Sequence, residues 1–194
     1  GALRASDGID FDVVEGETHA VIGPNGAGKT TFIAQLAGNL RPDAGRIAFA
    51  GEDITALGAP RRARKGLARS FQITSIYPEF STLDNVALAI QAHAGHSFRF
   101  WSRARDDQSL RAPARAVLEE VGLKERMDTL AGNLAHGEQR QLEMAMVLAT
   151  RPRLLLLDEP MAGMGPDESQ RMIGRLSGLK GRQTIVLVEH DMDA

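Results

Sequence analysis

Three groups of residues in this 194-residue chain have the types and spacing needed to handle a polyphosphate. The first is Gly23-Pro24-Asn25-Gly26-Ala27-Gly28-Lys29-Thr30-Thr31, a G-x-x-x-x-G-K-T pattern. A loop of this kind turns successive backbone N–H groups toward phosphate oxygens, and a following helix adds the positive end of its dipole. Lys29 is expected to reach the β- and γ-phosphates, and the Thr30 hydroxyl to ligate Mg2+. An ordinary glycine-rich turn is the competing reading of the loop alone. The second group is Asp158-Glu159, closing the run Leu154-Leu155-Leu156-Leu157. An aspartate there suits the outer shell of a phosphate-bound Mg2+, and Glu159 is placed to orient or deprotonate a water. The third is His190, after the run from Thr184 to Val188, which could bond the γ-phosphate or hold that water. Singly, Asp-Glu-Pro could cap a helix and the histidine could be structural. Together with the loop they point to binding of ATP or GTP, followed by hydrolysis.

These groups require strands that end at one edge. Thr18 to Ile22 reads as a buried strand feeding the loop, and Lys29 to Ala37 as a helix with Phe32, Ile33, Leu36 and Leu40 at helical spacing. Gly38 or Asn39 is expected to end that helix. Residues 9 to 14 partly alternate apolar and acidic side chains, as a half-exposed strand does, and 46 to 50 and 67 to 71 also read as strands. Pro60 to Lys65 is a basic helical segment whose simplest reading is a solvated face. Helices are expected over 82–93, 109–121, after Gly137 to Thr150, and 167–179. Strands alternating with helices imply an α/β fold with a parallel, doubly wound sheet, whose ligands bind beyond the carboxyl ends of the strands. Residues 73–134 read as a helical subdomain inserted within a single domain spanning 1–194.

A net charge of −2 gives no reason to expect a nucleic-acid partner, and the absence of cysteine excludes disulfides and cysteine zinc sites. No run approaches the roughly 18 to 20 apolar residues of a membrane span, so a membrane role is expected to pass through partners. The start at Gly1 and the end soon after Val188 suggest a chain cut from a longer one at both ends.

With these motifs in place, the chain resembles the nucleotide-binding domain of an ABC ATPase over nearly its whole length. Gly23 to Thr31 looks like the Walker A motif, Leu154 to Pro160 like Walker B with its catalytic glutamate, Gln72 like the Q-loop, and His190 like the switch histidine. Ala162 to Asp167 occupies the D-loop, and Leu134-Ala135-His136-Gly137-Glu138-Gln139 sits where the LSGGQ signature falls. The resemblance implies a P-loop NTPase (RecA-like) parallel sheet with a small antiparallel portion and an inserted helical subdomain. It implies ATP and Mg2+ as ligands, with Gln72 joining Thr30 and Asp158 around the metal, and Glu159, His190, Lys29 and Gln72 as the catalytic set. It also implies that two domains pair head to tail, each ATP lying between one Walker A and the partner's Ala135, His136, Gly137 and Glu138.

The segments HGEQRQLE, GLARSFQ and EPMAGMGP resemble most the ATPase subunits of bacterial branched-chain amino acid importers. That likeness implies permease subunits whose coupling helices dock near Gln72 and the inserted subdomain, a periplasmic solute-binding protein acting indirectly, and residence at the cytoplasmic face of the inner membrane. Ala135 stands where the family has serine and His136 where it has glycine, which removes a hydroxyl worth about 1 kcal/mol. An aromatic that stacks on adenine precedes the position of Gly1 in the family, so a chain extended at that end is expected to bind nucleotide more tightly. A lipopolysaccharide-type exporter ATPase and a soluble ABC ATPase acting on DNA or the ribosome are the competing functions. The second of these would bring heptad arms, cysteine zinc modules or tandem ATPase units.

Overall fold

In the computed structural model, residues 5–69, 76–93, 107–162 and 164–189 are described. They fall into two compact units, one formed by Gly1–Ser70 with Pro152–Ala194 and the other by Phe71–Arg151.

The first unit is built on a parallel sheet of β1 (Thr18–Ile22), β4 (Leu67–Arg69), β5 (Leu154–Asp158) and β6 (Thr184–Glu189), in the order β1-β6-β5-β4. Helices α1 (Lys29–Ala37), α2 (Ala59–Arg64) and α6 (Pro166–Leu179) belong to this unit, as does a two-stranded antiparallel ribbon of β2 (Ala48–Phe49) and β3 (Glu52–Asp53). Leu155, Leu156, Leu157, Ile185, Val186 and Val188 have no accessible surface, as expected where a parallel sheet is covered on both faces. Side chains alternate along a strand, and the core cluster of Ile33, Ala37, Leu67, Leu156, Val186 and Val188 therefore marks one face.

Residues 9–14 form no strand, because β1 pairs only with β6 among the described residues. Their alternation instead packs Phe11 and Val13 onto the core cluster, with Phe11 edge-on to Phe32 at 5.1 Å. The strand expected over 46–50 shrinks to two residues, turned into a hairpin by Ala50 and Gly51 at positive φ. Leu40 is exposed, since α1 ends at Ala37 with Gly38 at φ 81°. The basic segment is not simply a solvated face. Arg62 is 1% exposed and donates to the carbonyls of Gln35 and Leu36 (2.7 Å each), Leu57 (2.7 Å) and Thr55 (3.2 Å). It thereby satisfies the end of α1, whose last carbonyls have no partner within the helix. A Cβ on Gly38 would lie 2.9 Å from the Leu57 carbonyl oxygen, the Ala59 amide nitrogen and the Arg62 Nε alike, so the backbone of 57–59 as well as the arginine admits only glycine there.

The second unit contains α3 (Thr82–His93), α4 (Gln108–Glu120), α5 (His136–Ala149) and two short 3-10 turns, Lys124–Arg126 and Ala131–Asn133. The three helices pack on one another, and Leu83, Val86, Ala114, Leu118, Leu142 and Ala145 on them are nearly or fully buried. The unit thus takes in α5 as well as the 73–134 span. Asn85, fully buried, accepts from the Tyr77 amide at 2.8 Å and donates to the carbonyls of Tyr77 and Ser81 at 3.0 Å, which shapes the loop before α3.

Candidate nucleotide site

Register decides where the chemistry sits. Ile22 at the end of β1 pairs with Glu189, while Asp158 at the end of β5 pairs with Val188 one position earlier on the same strand. The 23–31 loop and the Asp158-Glu159 pair therefore leave the sheet at one edge, the carboxyl edge where α/β sheets bind ligands. Asp158 shares a face with Leu156, and that face packs under α1, which begins at Lys29.

The loop itself is shaped by its glycines. Gly26 and Gly28 have φ of 80° and 88°, a region that other residues enter only with strain. A Cβ on Gly28 would also lie 2.0 Å from the Ala5 carbonyl oxygen, so only glycine admits that segment. Gly28 caps α1 without a side-chain bond, and no acidic side chain occupies the first turn. The positive end of the helix is thus left for an anion from outside the helix. Lys29 is 8% exposed and donates to the Gly23 carbonyl and, at 2.9 Å, to the Pro24 carbonyl. Pro24, Asn25, Ala27 and Thr30 are at least partly exposed, and Thr31 is half-buried.

Asp158 has a fully buried side chain, and its Oδ2 accepts from Arg69 Nη2 at 2.8 Å. Its Oδ1 is buried and makes no hydrogen bond among the described residues. An unmatched carboxylate oxygen at the same sheet edge as a hydroxyl-bearing phosphate loop offers the oxygen donors that a hard divalent cation such as Mg2+ takes. Glu159 stands at φ 49°, a strained backbone for a glutamate, and its amide donates to the Val188 carbonyl at 2.9 Å. Next to it, the Met161 amide donates to the Glu189 carboxylate at 3.4 Å. His190 and Gln72 lie outside the described residues.

Ala135, His136, Gly137 and Glu138 belong to the second unit, at the start of α5. Ala135 offers no side-chain oxygen, so only half of a capping box forms: Glu138 Oε2 accepts the Ala135 amide at 3.0 Å. Arg126 Nε donates to Glu138 Oε1 at 2.9 Å. The Ala135 amide first, and Arg126 second, hold the Glu138 carboxyl below the usual carboxylate range against the opposing effect of burial. Sequence reasoning gave Arg69 and Glu189 no role and read Arg62 only as part of a solvated basic face. Arg69 meets Asp158 across 89 positions, a pairing that no local spacing reports.

Residues 6–162 match the family described as ABC transporter. The chain belongs to that family. It is the family's ATPase cassette, with the P-loop NTPase fold that the motifs implied. The cassette is 39% identical to BraF of Pseudomonas aeruginosa, a high-affinity branched-chain amino acid transport ATP-binding protein, over 99% of this chain and 78% of the relative. It is 34% identical to LivG of Escherichia coli, which carries the same description, over 99% of this chain and 78% of that one. A solved ATP-binding cassette of an ABC transporter superposes with a TM-score of 0.85 at 30% identity, covering 97% of this chain and 76% of that structure. The ADP conformation of such a cassette gives 0.84 at 29% identity, with the same coverage.

Proposed function

We propose that this cassette is the ATP-hydrolysing subunit of an importer for branched-chain or related amino acids. The observation that carries the proposal is the register bringing the 23–31 loop and Asp158-Glu159 to one sheet edge. The relatives at 34% and 39% identity, named branched-chain amino acid transport ATP-binding proteins, support the choice of solute class.

In this reading the loop amides and the start of α1 bind the polyphosphate of ATP. Lys29 exchanges its contacts with the Gly23 and Pro24 carbonyls for β- and γ-phosphate oxygens. The Thr30 hydroxyl and the open Oδ1 of Asp158 would hold Mg2+, with Gln72 joining them as the family resemblance implies, and the ion would neutralise charge on the polyphosphate. Glu159 takes a proton from the water that attacks the γ-phosphorus. The bond to the bridging oxygen breaks, ADP keeps the electron pair, and inorganic phosphate leaves. His190 holds that water or the γ-phosphate. Ala135, His136, Gly137 and Glu138 serve the ATP of a second cassette paired head to tail, through backbone donors at the start of α5.

No helix among the described residues is long and apolar enough to cross a membrane, so transport in this reading requires permease subunits. They would hold the cassette at the cytoplasmic face of the bacterial inner membrane and receive solute from a periplasmic binding protein. Tyr77 and Phe80, stacked at 5.4 Å and exposed by 51% and 42%, lie just after Gln72 in sequence and suit a permease coupling helix. The test is Glu159→Gln in the assembled transporter. ATP binding should survive while hydrolysis and amino-acid uptake fall at least about a hundredfold. Unchanged turnover would remove Glu159 from the role of base.

A further inference from the structure

Arg69 and Asp158 form an ion pair that stops short of its full geometry. Arg69 is opposite Leu156 in the β4–β5 ladder, and Asp158 follows two positions later on the same face. The guanidinium reaches diagonally to Asp158, with 19% of its side chain exposed against none for the aspartate. An arginine and a carboxylate side by side ordinarily make two parallel bonds. Only Nη2 to Oδ2 is made here, while Arg69 Nε and Asp158 Oδ1 are both buried without a hydrogen-bond partner among the described residues. One oxygen of the carboxylate is held, and the other is kept open.

Burying a carboxylate this completely without a counter-charge is strongly destabilising. A fixed cation supplies that compensation before a metal arrives and keeps the carboxylate ionised. Among the described residues, Arg69 is the basic group bonded to it. We propose that Arg69 is the resident counter-ion of Asp158, a positioning residue that keeps the carboxylate aimed in the metal-free cassette and leaves Oδ1 for the Mg2+ shell. The inference rests on the metal role given to Asp158 above. It adds that the cassette exchanges a half-made ion pair for a shared arrangement when Mg-nucleotide binds. Since β4 precedes Gln72 by three residues in the chain, the same arginine ties the Asp158 carboxylate to the strand that leads into that segment.

The test is a double-mutant cycle on the full chain, read by thermal unfolding. It uses wild type, Arg69→Gln, Asp158→Asn and the double variant, first with a chelator and then with Mg2+ and a non-hydrolysable ATP analogue. With chelator, Arg69→Gln should lower Tm by about 10 °C when Asp158 is intact and by far less when it is combined with Asp158→Asn. Arg69→Lys should recover much of the loss, because a point charge survives. Adding Mg2+ and the analogue should raise Tm more in Arg69→Gln than in wild type, while the analogue without metal should raise both equally. Equal losses with and without Asp158→Asn would overturn the proposal and leave Arg69 as mere packing. Should Arg69→Gln not fold with chelator, Mg2+ and the analogue should restore its transition, and failure to do so also overturns it. If Asp158→Asn keeps a wild-type response to Mg2+, the metal role of Asp158 fails, whereas the coupling is still judged by the chelator arm.

Discussion

The Glu159 amide donates to the Val188 carbonyl at 2.9 Å while Glu159 itself holds φ at 49°. That bond closes the last pair of the β5–β6 ladder, Asp158 with Val188, where the chain enters left-handed backbone that a glutamate adopts at a cost of about 1 kcal/mol. Replacing Glu159 by Gly should remove that cost. Part of the gain is cancelled by the greater freedom of glycine in the unfolded chain. The contacts of the Glu159 side chain are lost as well, so the variant should change stability by no more than about 1 kcal/mol in denaturant titration while lacking hydrolysis. A loss well beyond about 1 kcal/mol would show that the contacts of the Glu159 side chain outweigh the backbone strain.

Lys29 bonds two carbonyls of its own loop. Lys29→Ala should weaken ATP binding in calorimetry by at least about tenfold, through lost charge and a slacker loop. Wild-type affinity in this variant would place the polyphosphate elsewhere.

Arg62 serves four carbonyl oxygens while almost fully buried. Arg62→Ala leaves those acceptors and a cavity, and should cost about 3 kcal/mol in chemical denaturation. Arg62→Lys should recover less than half, because a single ammonium cannot span acceptors on two segments.

At the start of α5, Ala135 is an N-cap without an acceptor. Ala135→Ser should stabilise the chain by about 1 kcal/mol, read as a higher denaturant midpoint. No gain would mean that the hydroxyl does not reach the Gly137 or Glu138 amide.

The Glu138 carboxyl is held below its ordinary range in the fold, first by the Ala135 amide and then by Arg126. A depressed carboxylate adds stability that is present above its unfolded pKa and lost as pH falls through the folded one. Between neutral pH and the ordinary glutamate range, stability should therefore be level as far as this group is concerned, and it should decline only at more acid pH. Glu138→Gln should flatten that acid-side decline in unfolding midpoints measured from about pH 7 to about pH 3.

Much of the site was legible because its signals are local. The loop from Gly23 to Thr31 carries its own turn chemistry, and the run Leu154 to Leu157 announces a strand covered on both faces by its uninterrupted apolarity. The helix from Lys29 to Ala37 has a stop signal in Gly38 that geometry realises at φ 81°. Residues 9–14 misled because alternation reports a half-buried segment, and packing of Phe11 and Val13 onto a core satisfies that pattern without a neighbouring strand.

By itself, then, the sequence determined the phosphate loop, the acidic pair at a strand end and the α/β class, all written in residues adjacent along the chain. Tertiary structure alone decided that Arg62 is a buried clamp on α1, that Glu159 stands in left-handed backbone, and that Arg69 holds one oxygen of Asp158 and leaves the other open. The physical reason is that an ion pair between β4 and β5 depends on parallel register and burial. Both are set by how distant segments pack, and neither leaves a periodic trace in the chain.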